Sequence, residues 1–399
     1  MGEGFRLKKS ELLRLGYDPA TLPPTVKKYL IGKDLTQHRY ERYIIDFYGY
    51  SKDEARDLFP SLWQMVLGRV KPQRDAVNRK KTRENFWTFG EPRRLLREAL
   101  QGLDRYIITC RTAKHRAFEF VGIEYLPDTK IIAFALDGAY DLGVLSSHLH
   151  VVWSVRSGGR LGVGDDPSYN HSEVFYKFPF PAPDEFTRSR IADLAEHLDH
   201  HRKQVQADHP EITLTQMYNV LEKLRAASPL TPAEDIILRD GLILILKELH
   251  DELDQAVAEA YGWPAGLSDD GILAHLVALN KERAAEEARG LVRWLRPGYQ
   301  IARFGTPKEK QEQLEADLGL ATVAKSKPSF PQGAVEQTAA VMAALAATAA
   351  PLSPLDLAQG FKQGRKVELR VKATLASLAR TGFIAVHDGG RRFALRRVA

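Results

Sequence analysis

The sequence predicts an α+β protein with three structured regions and a linker. Residues 1–183 are expected to form a mixed α/β domain, because short runs of β-branched and aromatic residues alternate with polar turns and helical segments. Residues 184–300 are expected to form a helical domain, because apolar residues recur every three or four positions. Residues 334–399 read as a C-terminal winged helix–turn–helix, because three helical segments precede two alternating runs joined by Asp388-Gly389-Gly390. The polar stretch 301–333 is interpreted as a linker.

Several segments of the first region carry clear start signals. Ser51–Leu67 predicts a helix, with Ser51 as its N-cap and Glu54 at the capping-box position. A second helix is predicted over Thr88–Leu103, where Pro92 is tolerated in the first turn. Strands are predicted over residues 43–47, 106–109, 117–123, 131–136 and 148–154.

The helical regions are predicted from apolar spacing and from capping residues. Leucines and other apolar residues recur every three or four positions over residues 214–224 and 242–257, and this spacing predicts a helix in each segment. Thr231 and Pro232 supply the N-cap and first-turn signals of a further helix, which begins between these two segments. A further helix is predicted over 269–295. Beyond the linker, helices are predicted over residues 334–349, 353–360 and 365–381.

Composition limits the class of protein. The 399 residues carry a formal net charge of +6, and no apolar run reaches the ~18–20 residues of a membrane span. The N-terminus lacks the apolar segment of a secretory signal. Cys110 is the single cysteine, which excludes a disulfide framework and a cysteine-based zinc site. We therefore expect a cytoplasmic protein of bacterial type with no membrane partner.

Charge is distributed unevenly along the chain. Residues 66–116 contain 14 Lys and Arg against 5 Asp and Glu, and residues 361–399 contain 10 against 2. The middle, residues 184–290, contains 11 basic and 21 acidic residues. Two basic regions around an acidic centre favour two nucleic-acid-facing modules joined by a solvated or protein-facing one. Uneven surface charge without a special partner is the alternative.

Two groups of residues in the first region are candidates for contact with DNA phosphates. Lys and Arg clusters bind duplex DNA largely through counterion release, and such contacts position a protein without reading sequence. A solvated basic loop and ordinary loop or capping residues are the alternatives. The phosphate candidates are Arg69, Lys71, Arg74, Arg79, Lys80, Lys81, Arg83, Arg93, Lys114, His115, Arg116, Ser146 and Ser147.

Other patterns fail as signs of chemistry. The glycine-rich stretch 158–164 matches neither a P-loop nor a dinucleotide fingerprint. Asp166–Tyr169 lacks the second proline of the DPPY tetrapeptide of amino-methyltransferases. His197, His200 and His201 have metal-ligand spacing on one helical segment, but such clusters on charged helices usually face solvent. We expect no catalytic residue and no metal in this chain.

The order of the motifs resembles the target-recognition domain of MmeI-type adenine DNA methyltransferases and their relatives in DISARM-like phage-defence systems. The matching segments are Phe89–Arg93, Lys114–Arg116, Gly143–Trp153, Gly159–Leu161, Ser168–Asn170 and Phe178–Pro181. Residues 217–225, 249–264 and 279–300 resemble the C-terminal region of the same proteins. The S-adenosylmethionine loop and the NPPF/NPPY tetrapeptide of the family are missing from this chain.

The resemblance implies a specificity component without its catalytic domain. In the family, side chains just after the Gly-Arg-Leu motif contact bases; here Gly162, Val163 and Gly164 come first, where the family often has charged residues. S-adenosylmethionine is expected on a methyltransferase partner, in restriction-modification or another defence system, and other defence proteins are further possible partners. The implied base-reading residues are His148, Arg160, Gly162, Gly164, Asp165, Asp166, Ser168, Tyr169 and Asn170.

The C-terminal module supports a second hypothesis. Basic residues fall on its predicted recognition helix and on its wing, a placement that suits major-groove entry with phosphate contacts. A winged-helix regulator without a methyltransferase partner is therefore the alternative function, and winged helices also dock proteins. The candidates for DNA contact are Arg365, Lys366, Arg370, Lys372, Arg391 and Arg392.

Overall fold

The computed structural model describes residues 2–161, 166–325, 328–346 and 351–395. The chain divides into two compact units, Met1–Arg293 and Trp294–Ala399, called unit 1 and unit 2 below. Helices dominate both units, and four small sheets accompany them in the described residues. The predicted α+β class is confirmed. The predicted boundary at residues 183 and 184 lies inside unit 1.

The strands of unit 1 form three of these sheets. A four-stranded sheet has the order β1-β3-β2-β6, in which β2 and β6 are parallel; a three-stranded antiparallel sheet has the order β5-β4-β7; β8 and β9 form a hairpin. The strands are β1 (Arg6–Leu7), β2 (Val26–Leu30), β3 (Tyr43–Ile45), β4 (Arg105–Cys110), β5 (Phe118–Gly122), β6 (Tyr125–Pro127), β7 (Ile131–Phe134), β8 (Gly159–Leu161) and β9 (Asp166–Ser168).

Fourteen helices in the described residues of unit 1 cover and extend these sheets. They are α1 (Lys9–Arg14), α2 (Gly32–Thr36), α3 (Lys52–Leu58), α4 (Pro60–Arg69), α5 (Lys71–Asp75), α6 (Lys80–Glu84), α7 (Arg94–Leu100), α8 (Ala139–Ser146), α9 (His148–Ser157), α10 (Glu185–Asp208), α11 (Leu214–Arg225), α12 (Pro232–Asp240), α13 (Ile243–Tyr261) and α14 (Asp269–Ala288).

Several predicted elements of unit 1 are confirmed and others are shorter. The capping box of Ser51 and Glu54 is present at the start of α3. The predicted helix 51–67 breaks at Phe59, because the residue before Pro60 is driven out of the helical region. The predicted helix 88–103 is helical only over α7, because Arg93 adopts a left-handed conformation with φ 53°.

The predicted strand over residues 148–154 is wrong, because this segment is helix α9. The hydroxyl of Ser147 accepts a hydrogen bond from the main-chain N–H of His150 and caps the helix. Leu149, Val152 and Trp153 are buried. They stand at positions i, i+3 and i+4, which is the spacing of one helix face rather than the alternation of a strand. Valines and an aromatic residue gave the segment its misleading strand character.

The helical part of unit 1 packs directly on the mixed part. Gly143 of α8 lies so close to α10 that a Cβ atom there would be 2.6 Å from the Cγ2 of Ile191. Arg202 of α10 is buried and donates to the carbonyl oxygen of Phe118 in β5 at 2.6 Å. The packing of α8 against α10 therefore joins the mixed part of unit 1 to its helical part.

Unit 2 contains five helices and one hairpin in its described part. Phe330, Val341, Leu375 and Phe393 belong to its buried core. The stretch predicted as a linker is largely helical, and Thr306 and Glu309 cap α16 reciprocally. The elements are α15 (Pro297–Phe304), α16 (Pro307–Lys325), α17 (Ala334–Ala346), α18 (Pro354–Gln359), α19 (Glu368–Arg380), β10 (Ile384–His387) and β11 (Arg392–Leu395).

In the described part of the chain, no helix is both long enough and apolar enough to span a membrane.

Candidate nucleic-acid interface

The hairpin of β8 and β9 is the centre of the candidate interface. Arg160 pairs with Pro167 and Leu161 pairs with Asp166, so the two strands are antiparallel and flank residues 162–165. The turn itself, residues 162–165, lies outside the described residues. The base-reading predictions for Gly162, Gly164 and Asp165 therefore stay predictions, and the structure describes the base on which they stand.

A glycine connects this hairpin to the helix before it. A Cβ atom on Gly158 would overlap the main-chain oxygen of Ser168 and lie 2.6 Å from that of Ser154. Both neighbours are backbone atoms, so neither can rotate away. The end of α9 and the end of β9 therefore approach each other as closely as only glycine permits.

Main-chain bonds hold β9 against the segment that follows β4. The N–H of Tyr169 donates to the carbonyl oxygen of Arg111 at 2.6 Å, and Thr112 forms a bridge with Ser168. The N–H of Ala113 donates to the oxygen of Pro167 at 3.4 Å. The hairpin is thus fixed along one strand to the segment that continues β4, the central strand of the three-stranded sheet.

Arg116 fixes the same strand from the inside. Its guanidinium donates to the carbonyl oxygens of Cys110 and Pro167, the latter at 2.9 Å, and it also lies 5.3 Å from the ring centre of Tyr169. Burial lowers the pKa of Arg116, because the charged form is removed from water. The side chain therefore ties the end of β4 to β9 and does not face solvent.

Tyr169 and His150 form a second buried link. The phenol oxygen of Tyr169 lies 2.9 Å from Nε2 of His150 in α9. Burial, with a smaller contribution from Arg116, lowers the pKa of His150 to about 3, so the ring is neutral at physiological pH. Burial raises the pKa of Tyr169. The phenol and the imidazole therefore join β9 to α9 as a neutral hydrogen-bonded pair.

Six of the predicted DNA-contacting residues are buried and are corrected to scaffold residues. Ser147 caps α9 and its hydroxyl donates to the oxygen of Val144 at 2.7 Å. Arg74 lies beside the ring of Phe5, and burial lowers its pKa. Protein encloses these side chains on the side from which a phosphate or base edge would approach, so we leave them out of the proposed DNA surface. They are Arg74, Arg116, Ser146, Ser147, Ser168 and Tyr169.

Most exposed phosphate candidates are already paired within the protein. Arg69 contacts Glu11 at 2.6 Å, Lys71 contacts Asp75 at 2.5 Å and Lys80 contacts Glu84 at 3.7 Å. Lys114 contacts Glu222 at 3.0 Å, and Nε2 of His115 lies 2.8 Å from the Asn219 side-chain oxygen. Burial lowers the pKa of His115, so its ring adds no positive charge at neutral pH. These partners reduce the charge available to a phosphate.

A smaller set of the predicted cations is exposed and has no side-chain partner among the described residues. This set is Arg79, Lys81 and Arg93. Arg93 precedes α7, which Arg97 anchors through bonds of 2.7 Å to Asp46 and to the carbonyl oxygen of Pro92. Arg83 donates instead to the main-chain oxygens of residues 77 and 78.

The structure places the predicted DNA contacts in two separate groups, one near α7 and one at the hairpin of β8 and β9. Arg97, in the helix that follows Arg93, donates to Asp46, and the N–H of Asp46 donates to the carbonyl oxygen of the residue just before β2. The hairpin lies near Cys110, whose thiol bonds to the oxygen of Gly32 just beyond the other end of β2. A five-residue strand spans about 16 Å, so the two groups flank the four-stranded sheet at opposite ends.

The remaining predicted readers have defined surroundings. Nε2 of His148 lies 2.9 Å from Asp269, and its main-chain N–H donates to Asp254 at 2.6 Å. Asn170 accepts from the N–H and the hydroxyl of Ser172 and caps the π-helical turn that follows. Arg160 is exposed on β8, and Asp166 is half-buried on β9. Arg160 and Asp166 are therefore the described side chains that flank the turn.

The predicted cations of unit 2 differ in freedom. Arg370 donates to the carbonyl oxygen of Pro331 at 2.8 Å and lies over the ring of Phe330, so it is held within the unit. Arg365 and Arg392 lie 3.7 Å from Glu368 and Asp388 respectively. Lys366, Lys372 and Arg391 are exposed, with no side-chain partner among the described residues.

Among the described residues, no three His, Cys, Asp or Glu side chains converge closely enough to hold a metal ion. His197, His200 and His201, which share metal-ligand spacing in the sequence, therefore do not form such a group with one another.

The chain is similar in fold to a known DNA-modifying system. It matches the structure of MmeI, a type IIL restriction-modification enzyme in complex with DNA, with 17% sequence identity and a TM-score of 0.52. The match covers 71% of this chain and 34% of that chain, so this protein spans about a third of the length of its structural neighbour. No protein-family model and no curated protein sequence matches the chain. At this identity the likeness shows a related fold.

Proposed function

We propose that this protein is the sequence-specific DNA-recognition component of an adenine-N6 methyltransferase system for restriction-modification or phage defence. The anchored hairpin of β8 and β9 carries the proposal, because β9 and the residue that follows it are bonded to a buried framework. The fold shared with a DNA-bound restriction-modification enzyme supports the same partner, duplex DNA.

The residues around the turn have chemistry suited to base edges. An arginine at position 160 can donate two hydrogen bonds to guanine O6 and N7, and the carboxylate of Asp166 can accept from cytosine N4. Because a carboxylate also repels phosphates, Asp166 favours a position inside a groove over one along the backbone. Residues 162–165 complete the proposed reader.

Rigid anchoring is what a base-reading hairpin requires. Direct readout depends on hydrogen-bond geometry, and a reader that is ordered before binding loses less conformational entropy on contact. Bonds from Arg111, Arg116 and His150 fix β9 and the residue after it to two segments, the β4–β5 connection and α9. We infer that the turn approaches DNA from a preorganised base.

The proposed partner supplies the chemistry. S-adenosylmethionine would be bound by a methyltransferase domain or subunit, which would transfer the methyl group to a flipped adenine. This chain would bind the duplex and orient it, and the acidic helices α12–α14 are the proposed docking side for that partner. A cytoplasmic bacterial location is part of the same proposal.

The test is selection of duplexes from a random pool by the full chain, followed by affinity measurement on the selected site. The wild type is expected to select a defined site, and Arg160→Ala and Asp166→Ala are each expected to cost about 1–3 kcal/mol of discrimination at one base pair. The control is Lys281→Ala, an exposed side chain on α14. Failure of the wild type to prefer any sequence would refute the proposal.

A second assay addresses the division of labour. The purified chain is incubated with labelled S-adenosylmethionine and the same random duplex pool. We expect no incorporation of label by this chain alone, and incorporation would contradict its role as a reader without its own chemistry.

The alternative, a DNA-binding regulator that reads through unit 2, is supported by one observation. Lys366 precedes α19, Lys372 lies in its second turn and Arg391 precedes β11, and all three are exposed in a unit that combines helices with a hairpin. The double variant Lys366→Gln/Lys372→Gln separates the two functions. Loss of site preference in this variant, with no effect of Arg160→Ala, would favour the regulator.

A further inference from the structure

Three exposed cations from distant parts of the sequence meet beside the anchored hairpin. Lys33 lies in α2, Arg111 follows β4 and Lys130 precedes β7. The N–H of Arg111 donates to the carbonyl oxygen of Lys130 at 2.7 Å. A Cβ atom on Gly32 would be 3.1 Å from the Cβ of Lys130, and the thiol of Cys110 donates to the oxygen of Gly32 at 2.9 Å. The three backbones are therefore packed against one another.

The charges of this cluster form no ion pair among the described residues; Lys130 interacts electrostatically with the nearby Asp128 without forming an ion pair with it. All three side chains are exposed, and none has an ion pair or side-chain hydrogen bond in the part of the chain that the structure describes. The carboxylates around them are engaged elsewhere. Asp34 pairs with Arg42, and Asp128 accepts from the main-chain N–H of Lys130 at 2.8 Å. Unpaired cations in this number contrast with the paired ones at Arg69, Lys71 and Lys114.

The cluster is joined directly to the strand that carries the reader. The carbonyl oxygen of Arg111 accepts the N–H of Tyr169, the residue that follows β9. The main chain of one cluster member is thus one hydrogen bond from the hairpin. A duplex that contacts the hairpin would therefore place its sugar–phosphate backbone next to these side chains.

We propose that Lys33, Arg111 and Lys130 form a phosphate clamp that holds the DNA backbone next to the base pairs contacted by the hairpin. This inference rests on the proposed function and names a contact surface for it. Phosphate contacts fix the register and orientation of a protein on the duplex without reading sequence, and unneutralised cations release counterions most effectively. The clamp supplies non-specific affinity and the hairpin supplies specificity.

The test uses the full chain with the substitutions Lys33→Gln, Arg111→Gln and Lys130→Gln combined. Binding to a random-sequence 30-base-pair duplex is measured by fluorescence anisotropy at several salt concentrations. The slope of log K against log salt is negative, and each lost phosphate contact reduces its magnitude by about 0.9. We therefore expect the magnitude of the slope to decrease by about 3 in the triple variant. At 0.1 M salt the affinity is expected to fall on the order of 100-fold.

A matched control removes the same charges elsewhere. Lys281→Gln, Arg289→Gln and Lys310→Gln combined also change two lysines and one arginine, all exposed. This control is expected to keep the wild-type slope. Because every substituted side chain is at the surface, both triple variants are expected to melt at the wild-type temperature. A slope unchanged in the clamp variant, or lowered equally in the control, would overturn the clamp.

The two proposals fail in different ways. If the wild type binds duplex DNA, Arg160→Ala changes its base preference and the clamp variant behaves as wild type, the clamp is wrong while the proposed function stands. If the clamp variant loses affinity equally for the selected site and for random duplexes, both are supported. If the wild type binds no duplex DNA at any salt concentration, both are refuted.

Discussion

Replacing Arg116 with methionine gives the sharpest test of the hairpin's anchoring. The guanidinium donates to the carbonyl oxygens of Cys110 and Pro167, and both bonds are inside the protein. Methionine fills a similar volume without a donor, so both oxygens lose their charged partner. A hydrogen bond from a charged group contributes about 1.5–3 kcal/mol, which gives about 3–6 kcal/mol for the two bonds. The cost of burying the guanidinium charge offsets part of this, so we expect a net loss of about 2–3 kcal/mol.

This loss should appear at the hairpin rather than across unit 1. Amide hydrogen exchange reports on it directly, because the N–H of Tyr169 bonds to the oxygen of Arg111 across the same contact. We expect exchange at residues 166–169 to accelerate by about 30- to 150-fold for about 2–3 kcal/mol, with β4 and β5 less affected. Arg116→Lys keeps the charge but not the two-pronged geometry of the guanidinium. Its exchange rates at these residues should lie between those of the wild type and of Arg116→Met.

DNA binding provides the functional measurement for the same variant. A loosened hairpin should lose discrimination between the selected site and random duplexes, while the salt dependence of non-specific binding stays the same. Faster exchange at residues 166–169 with unchanged discrimination would refute the idea that Arg116 positions a reader. Unchanged exchange would refute the structural argument itself.

Three further changes probe the same framework and its pH dependence. Tyr169→Phe removes the bond to His150 and should cost about 1–2 kcal/mol by chemical denaturation, and a double-mutant cycle with His150→Phe should show coupling. Gly158→Ala should cost about 1–3 kcal/mol by overpacking and should weaken site discrimination in the duplex selection assay. Burial raises the pKa of Asp141 to about 7, above its unfolded value, so the carboxyl destabilises the fold increasingly as pH rises from about 4 to 7, by about 4 kcal/mol in total. Asp141→Asn should therefore raise the melting temperature more at pH 8 than at pH 5, and an advantage that does not grow with pH would contradict this reasoning.

Local signals in the sequence were sufficient for elements with strong punctuation. The capping box of Ser51 and Glu54 begins a helix, and the strands β4, β5 and β7 lie within one or two residues of their predicted bounds. The sequence could not reveal that residues 148–154 form a helix. Their valines and tryptophan favour strands intrinsically, and it is burial against the π-helical turn and α13 that selects the helix.

The candidate site was harder to predict than the fold, because charge in a sequence does not show pairing in space. Lys114 and Arg116 stand in one basic motif, yet one is exposed beside Glu222 and the other is buried among carbonyl oxygens. Lys33 and Lys130 gave no signal, since each is an isolated cation in its own segment, and Arg111 lies outside the Lys114–Arg116 motif. Only the packing of Gly32 and Cys110 brings them together.

The division between scaffold and surface around the hairpin has a consequence for specificity. In the part of the chain that the structure describes, β9 is fixed by main-chain bonds and by buried side chains, Arg116 and the Tyr169–His150 pair. None of these bonds depends on the side chains at positions 160 and 166 that flank the turn. Substitutions at Arg160 and Asp166 can therefore change which base edges are contacted without removing the framework that presents them. If the clamp adds affinity without regard to sequence, such variants would keep binding DNA while their preferred site changes, which is the behaviour expected of a reader that can diverge without loss of its fold.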